Sequence, residues 1–148
     1  MSKIKEYAKF EEMPLHDNLL KGIYTYGFEN PSNIQKKGIV PIIDNKDLIA
    51  QSQSGTGKTA TFVIGAIQKI IKLNKLEKTN QILILAPTRE LAIQINSVAL
   101  ELLKYTNVTS NVFIGGTNTS NFSNHIMIGT PGRIYDLLRK NLLSRENI

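Results

Sequence analysis

Apolar and polar positions along the 148 residues change period several times, and each change marks an element. From Asp17 to Tyr26 the apolar residues Leu19, Leu20, Ile23 and Tyr24 recur on one helix face, with Asp17 as N-cap and Gly27 as the stop. Phe28-Glu29-Asn30-Pro31 reads as a turn; Ser32 then caps a second helix carrying Ile34, Gln35 and Ile39 until Pro41 limits it. The short run Asp47-Leu48-Ile49-Ala50 predicts a first strand, and Ala60 to Ile71 a longer helix. After the polar connection Lys72 to Asn80, the stretch Gln81 to Ala86 is of strand length and continuously apolar past Gln81, which suits a parallel strand buried on both faces. Pro87 and Thr88 end it, and Glu90 to Tyr105 predicts a helix with Leu91, Ile95, Val98 and Leu102 inward. Asn111 to Ile114 and Ile126 to Ile128 predict strands on either side of a Ser/Thr/Asn loop, Thr117 to Asn124. Gly115-Gly116 breaks the first, and Gly129-Thr130-Pro131-Gly132 turns the chain into a last helix, Arg133 to Lys140. Strand and helix alternate, so the expected fold is α/β with a mainly parallel sheet flanked by helices. Residues 1–36 would form an arm and two short helices, with Met1 to Glu12 lying irregularly over residues 37–148.

Composition narrows the function classes. The length suits one domain with a real core. No apolar run approaches the roughly 18 residues of a membrane span, and the charged N-terminus shows no secretory h-region. The absence of cysteine excludes disulfides and thiolate metal sites and fits an intracellular chain, cytoplasmic or nuclear. Asn107, Asn118 and Asn121 open N-x-[ST] matches that read as chance without a secretory route. A net charge of +6 favours a polyanionic partner, although Lys72, Lys75 and Lys78 serve equally as a solvated helix end.

Candidate chemistry centres on Ser52-Gln53-Ser54-Gly55-Thr56-Gly57-Lys58-Thr59, between the first expected strand and a helix. Gly55 and Gly57 permit a tight turn that aims backbone N–H groups inward, Lys58 brings a point charge, and Thr59 offers a hydroxyl to Mg2+. The helix start adds its positive dipole end. Ser52 stands where the strict phosphate-loop pattern wants glycine, so the strand-loop-helix context carries the assignment.

Four further stretches add to it. Gly27 to Gln35 offers the aromatic Phe28 and the carboxamide of Gln35, which matches an adenine edge with one donor and one acceptor; composition alone would place Phe28 in the core and Gln35 on the surface. Pro87-Thr88-Arg89, Gly115-Gly116 and Thr130-Pro131-Gly132-Arg133 each follow a strand, where open α/β sheets bind ligands, and together they could track a nucleic-acid backbone. Separately, each is ordinary turn chemistry. In this order the stretches resemble the DEAD-box RNA helicases, and among them the eukaryotic initiation factor 4A group, from Phe10 to Ile148. The resemblance implies an incomplete RecA-like P-loop domain that binds ATP and Mg2+. Phe28 would stack on adenine, Gln35 read its edge, and Phe10 support that site. Ser54 to Thr59 would hold phosphates and metal. Pro87, Thr88, Arg89, Gly115, Gly116, Thr130, Pro131, Gly132 and Arg133 would contact single-stranded RNA without regard to base sequence. Ser52 is compatible, since that family commonly has a small residue other than glycine there.

The same resemblance implies parts that the 148 residues do not contain: an Asp-Glu-Ala-Asp strand for metal and water, a Ser-Ala-Thr motif, and a second domain with an arginine finger. Asp44, Asp47, Glu11 and Glu12 read as solvated charges, so no catalytic residue is assigned. The loop Asn118 to Asn124 is shorter than the resemblance implies and lacks its short basic helix. Without the central strands, unpaired backbone and apolar surface would be left in mid-sheet, making the chain only marginally stable unless a helicase segment or partner protein completes it. Two functions follow: the ATP- and RNA-binding part of a helicase, or a non-catalytic module binding nucleotide, RNA or a helicase partner. A small P-loop kinase would leave the Phe28 to Gln35 and Pro87 to Ala92 stretches unexplained.

Overall fold

A computed structural model describes residues 3–53, 55 and 57–148. After a 3-10 turn at Phe10–Glu12, the chain forms α1 (Asp17–Tyr26), α2 (Asn33–Ile43), α3 (Lys58–Leu73), β1 (Ile82–Leu85), α4 (Arg89–Leu102), β2 (Ser110–Phe113), β3 (Ile126–Gly129) and α5 (Pro131–Arg139). The strands form one parallel sheet of order β1-β3-β2. Strand β3 is buried throughout, and its residues alternate between two cores as a period-2 strand requires. Ile126 and Ile128 face the main core with Ile64 and Ile67 of α3 and Ile95 and Ala99 of α4; Met127 faces Ile134 and Leu137 of α5. Helices thus cover both faces, the arrangement in which parallel strands are stable.

Local chemistry sets the helix ends. The N-cap of α1 is His16 rather than Asp17: its extended backbone leaves Nδ1 free to accept the Asn18 N–H at 3.0 Å. Helix α2 passes through Pro41 and ends two residues later at Ile43. A proline in the last turn removes one donor only, and the Pro41 carbonyl still accepts from Lys46 N at 2.9 Å while Ile43 is buried. The arm is tied down as well: Tyr7 N donates to Lys36 O, and Phe10 is fully buried. A division after residue 36 therefore falls inside α2, and Phe10, Leu19, Ile39 and Ile64 share one core.

The expected strand at Asp47–Ala50 does not form. Residues 46–51 run without a ladder partner, and Ile49 is fully exposed. Across from them lies the outer edge of β1, with Leu85 51% exposed. Between the two is a trough of about 590 Å3 lined by Ile34, Leu48, Phe62, Ala66, Ile82 and Ile84 among others. An apolar run becomes a strand only where a neighbour pairs its backbone, and this sheet places none beside residues 47–50. The loop at 117–124 has no helix; Phe122 stacks on Phe113 (5.9 Å between centroids), and Asn80 Nδ2 holds the Phe122 carbonyl at 2.9 Å.

Candidate functional site

The candidate phosphate loop is held at Gly57, by Gln35 of α2 and by Thr61 of α3. Gly57, at φ +82°, is the N-cap of α3, a backbone region that favours glycine. Its carbonyl accepts from Thr61 N (3.0 Å), Thr61 Oγ1 (2.8 Å) and Gln35 Nε2 (3.4 Å). Gln35 is 1% exposed, not on the surface, because its other end is also engaged: Oε1 accepts the Ser32 N–H at 2.9 Å. Ser32 and Gln35 take up a capping-box arrangement, and the Ser32 hydroxyl is buried without a full hydrogen-bond partner among the described residues. Gln35 keeps one N–H and one lone pair for a ligand. Ser54 and Thr56 lie outside the described residues; Gly55 has φ +82°.

Lys58 and Thr59 open α3, Lys58 exposed and Thr59 half-buried. With Gly55 and Gly57 they line a cavity of about 630 Å3 whose other walls include Tyr26, Phe28, Leu85 and Leu91. Phe28 is half-buried. One side of its ring stacks on Tyr26 (4.9 Å, 17°) and it leans on Phe10 (6.5 Å), so Phe10 supports Phe28 from within the core. Phe10 also meets Tyr24 edge-on. The Tyr24 hydroxyl donates to Glu11, so Glu11 is not merely solvated: that bond lowers its carboxyl, while partial burial and Glu11 together push the Tyr24 phenol up to about 12.

The other candidate residues meet at one edge of the sheet. Leu85 of β1 and Phe113 of β2 both pair in register with Gly129 of β3, so the three parallel strands end level. Pro87-Thr88-Arg89, Gly115-Gly116 and Thr130-Pro131-Gly132-Arg133 leave from that same C-terminal edge, where ligands of such sheets bind. Thr88 caps α4, its hydroxyl accepting the Leu91 N–H at 3.2 Å. The exposed Arg89 guanidinium reaches over Gly116, within about 4 Å of where a Cβ there would sit. Thr130 N donates to Phe113 O at 3.4 Å, and Pro131 and Gly132 are exposed at the start of α5. Arg133 is braced by Asp136 at 2.9 Å. Sequence reasoning missed Tyr26, Thr61 and Asp136; the i, i+3 spacing of Arg133 and Asp136 on a helix is the signal that could have found the last.

A parallel α/β sheet with a glycine-bearing loop at the head of a helix and further arginine- or glycine-bearing loops along its C-terminal edge has the RecA-like architecture. Residues 32–147 match the DEAD/DEAH box helicase family, and the chain belongs to it. It is 50% identical over 146 residues to eukaryotic initiation factor 4A of Cryptosporidium parvum, covering 94% of the chain and 35% of that protein. It is 48% identical over 151 residues to the ATP-dependent RNA helicase FAL1 of Mycosarcoma maydis, covering 98% and 37%. Its structure is similar to S. cerevisiae Dbp5 bound to RNA and ADP BeF3, with TM-score 0.85, 37% identity, and coverage of 96% and 37%. The chain thus spans little more than a third of the relatives it matches. Among the described residues no helix is long and apolar enough to cross a membrane.

Proposed function

We propose that this chain is the ATP- and RNA-binding N-terminal part of an ATP-dependent RNA helicase, an intracellular protein acting in translation initiation or mRNA processing. The observation that carries the reading is the common C-terminal edge: three cationic or glycine-rich loops leave level strands there, beside the cavity that holds Lys58 and Thr59. The adenine would rest on Phe28 with Gln35 at its edge. The phosphates would lie over the residue 52–59 loop, with Lys58 as counter-charge. Thr59 lines the cavity beside Lys58, and a hydroxyl beside bound phosphates suits Mg2+, so Thr59 would hold the metal. Magnesium would neutralise phosphate charge there. Thr88, Arg89, Gly115, Gly116, Thr130, Gly132 and Arg133 would hold phosphates and sugars of single-stranded RNA, which confers no base preference.

Turnover needs more than these groups. The 148 residues hold no Asp-Glu-Ala-Asp, and Asp47, the carboxylate that shares the trough with Lys58, is exposed on the unpaired segment. That observation favours a second reading for the chain acting alone, a non-catalytic module that binds nucleotide, RNA or a helicase partner. The trough beside β1 is where strands of a completing helicase segment or partner protein would pair. Measuring RNA-stimulated ATP hydrolysis with and without a segment that carries the acidic strand and second domain tests both. The helicase reading expects background rates alone and stimulated turnover with the segment. If the completed protein binds neither ATP nor RNA, that reading fails; if it binds both yet never hydrolyses ATP, the module reading replaces it.

A further inference from the structure

Tyr26 ends α1 two residues before Phe28, with Gly27 between them at φ +115°. That left-handed turn, which glycine adopts without strain, reverses the chain so that the two rings meet. Their centroids are 4.9 Å apart and their planes 17° from parallel, an offset stack. An aromatic ring has two faces, and those of Phe28 are unequal. Inward, it packs on the main core and leans on Phe10, which is fully buried, so no base can enter there. Tyr26 is 40% exposed, too exposed to lie on the core side, and so covers the outward face. Both rings line the cavity of about 630 Å3 that reaches Gly57, Lys58 and Thr59. The one face of Phe28 that a nucleotide base could use is therefore already taken by another flat ring.

Resting on the nucleotide reading above, we propose that Tyr26 is a surrogate for the base and sets how much the base adds to nucleotide affinity. It stacks on Phe28 while the site is empty, and adenine gains that face only by turning the tyrosine out. The stacking the base makes is offset by the stacking it displaces, so the phosphates supply most of the affinity. Calorimetry with ATP and with base-free tripolyphosphate tests this. Tyr26→Ala should bind ATP about three- to tenfold more tightly than the parent and tripolyphosphate no differently. Tyr26→Phe keeps the stack and should bind both like the parent. The chain contains no tryptophan, so Tyr26→Trp puts a unique fluorophore on Phe28. ATP should turn that ring into water, shifting its emission to the red and opening it to acrylamide quenching; tripolyphosphate should do neither. Lys58→Ala is the control for the phosphate loop and should weaken both ligands. If that control weakens both while Tyr26→Ala binds ATP like the parent or less tightly, the nucleotide reading stands and the surrogate is overturned, Tyr26 being a bystander or a second wall for the base. Tighter tripolyphosphate binding by Tyr26→Ala would place its effect on the loop and also overturn the surrogate. Should Tyr26→Ala not fold, the tryptophan variant decides, and an emission that bound ATP leaves unmoved overturns the proposal. If the parent binds neither ATP nor tripolyphosphate, both readings fall together.

Discussion

Gln35→Glu separates two jobs that the structure gives one carboxamide. The substitution is isosteric and keeps the bond from Ser32 N–H to the retained oxygen. It replaces Nε2 with an oxygen facing the Gly57 carbonyl, so a donor becomes an acceptor in a site only 1% exposed. Losing the bond costs about 1 kcal/mol, and leaving two buried acceptors opposed costs a further ~1–3 kcal/mol. A cost near 2 kcal/mol falling on loop placement weakens nucleotide binding about 30-fold. Titration calorimetry with ATP and with tripolyphosphate, which lacks the base, shows where the cost falls. If Gln35 positions the loop through Gly57, both ligands weaken. If tripolyphosphate binds the variant as it binds the parent while ATP weakens, Gln35 only reads the base and does not position the loop through Gly57.

Gly57→Ala attacks the same contact from the other side: the new Cβ would sit at φ +82° and collide with Gln35 Nε2, so ATP affinity should drop at least tenfold, read by the same calorimetry. Gly22→Ala should gain ~1 kcal/mol of helix propensity yet lose more, because its Cβ would overlap the Leu102 carbonyl where α1 crosses α4; a net loss of about 1–2 kcal/mol should appear as a lower urea midpoint, and an unchanged midpoint would refute the close crossing. Tyr24 tests the arm. Its folded pKa is raised from 10 to about 12, so the contribution is complete below pH 10 and is lost as pH rises toward 12. With the ring 38% exposed, solvent screening keeps the effect below about 1 kcal/mol. Absorbance titration should show a late-ionising tyrosine, and Tyr24→Phe should remove that late step.

What could be read from residue order was what depends on short range. Ile82–Leu85 and Ile126–Gly129 announce themselves by continuous apolar character, and α4 by its 3.6 period. The run Leu48-Ile49-Ala50 has a similar local pattern to Ile126-Met127-Ile128 but a different outcome, because β3 lies between two strands and residues 47–50 beside none. Pairing is a property of the neighbours, invisible in a window. Gln35 follows the same logic: a glutamine is usually solvated, and only the folded chain brings Gly57, 22 positions away, to its amide. The candidate site was legible as a set of loops because glycine, threonine and arginine after strands are local signals. That the loops converge, with Arg89 over Gly116, required the register of β1, β3 and β2.

The phosphate loop is therefore supported unequally. On one side, Gln35 of α2 and Thr61 of α3 hold Gly57 directly. On the other, the segment leading into the loop borders the trough, and Lys58 lines both that trough and the cavity shared with Phe28. A polypeptide pairing with β1 would bury the trough's apolar wall and fix residues 46–51, and these run straight into Ser52 and Gln53. ATP bound over the loop would fix the same backbone from its far end. Two ligands that order one segment stabilise each other, and linkage makes the effect reciprocal: whatever factor the added strands contribute to ATP affinity, ATP must return to their association. The edge of β1 and the residue 52–59 loop are in that sense linked, and a segment that pairs with β1 should raise ATP affinity by the factor by which ATP raises its own association.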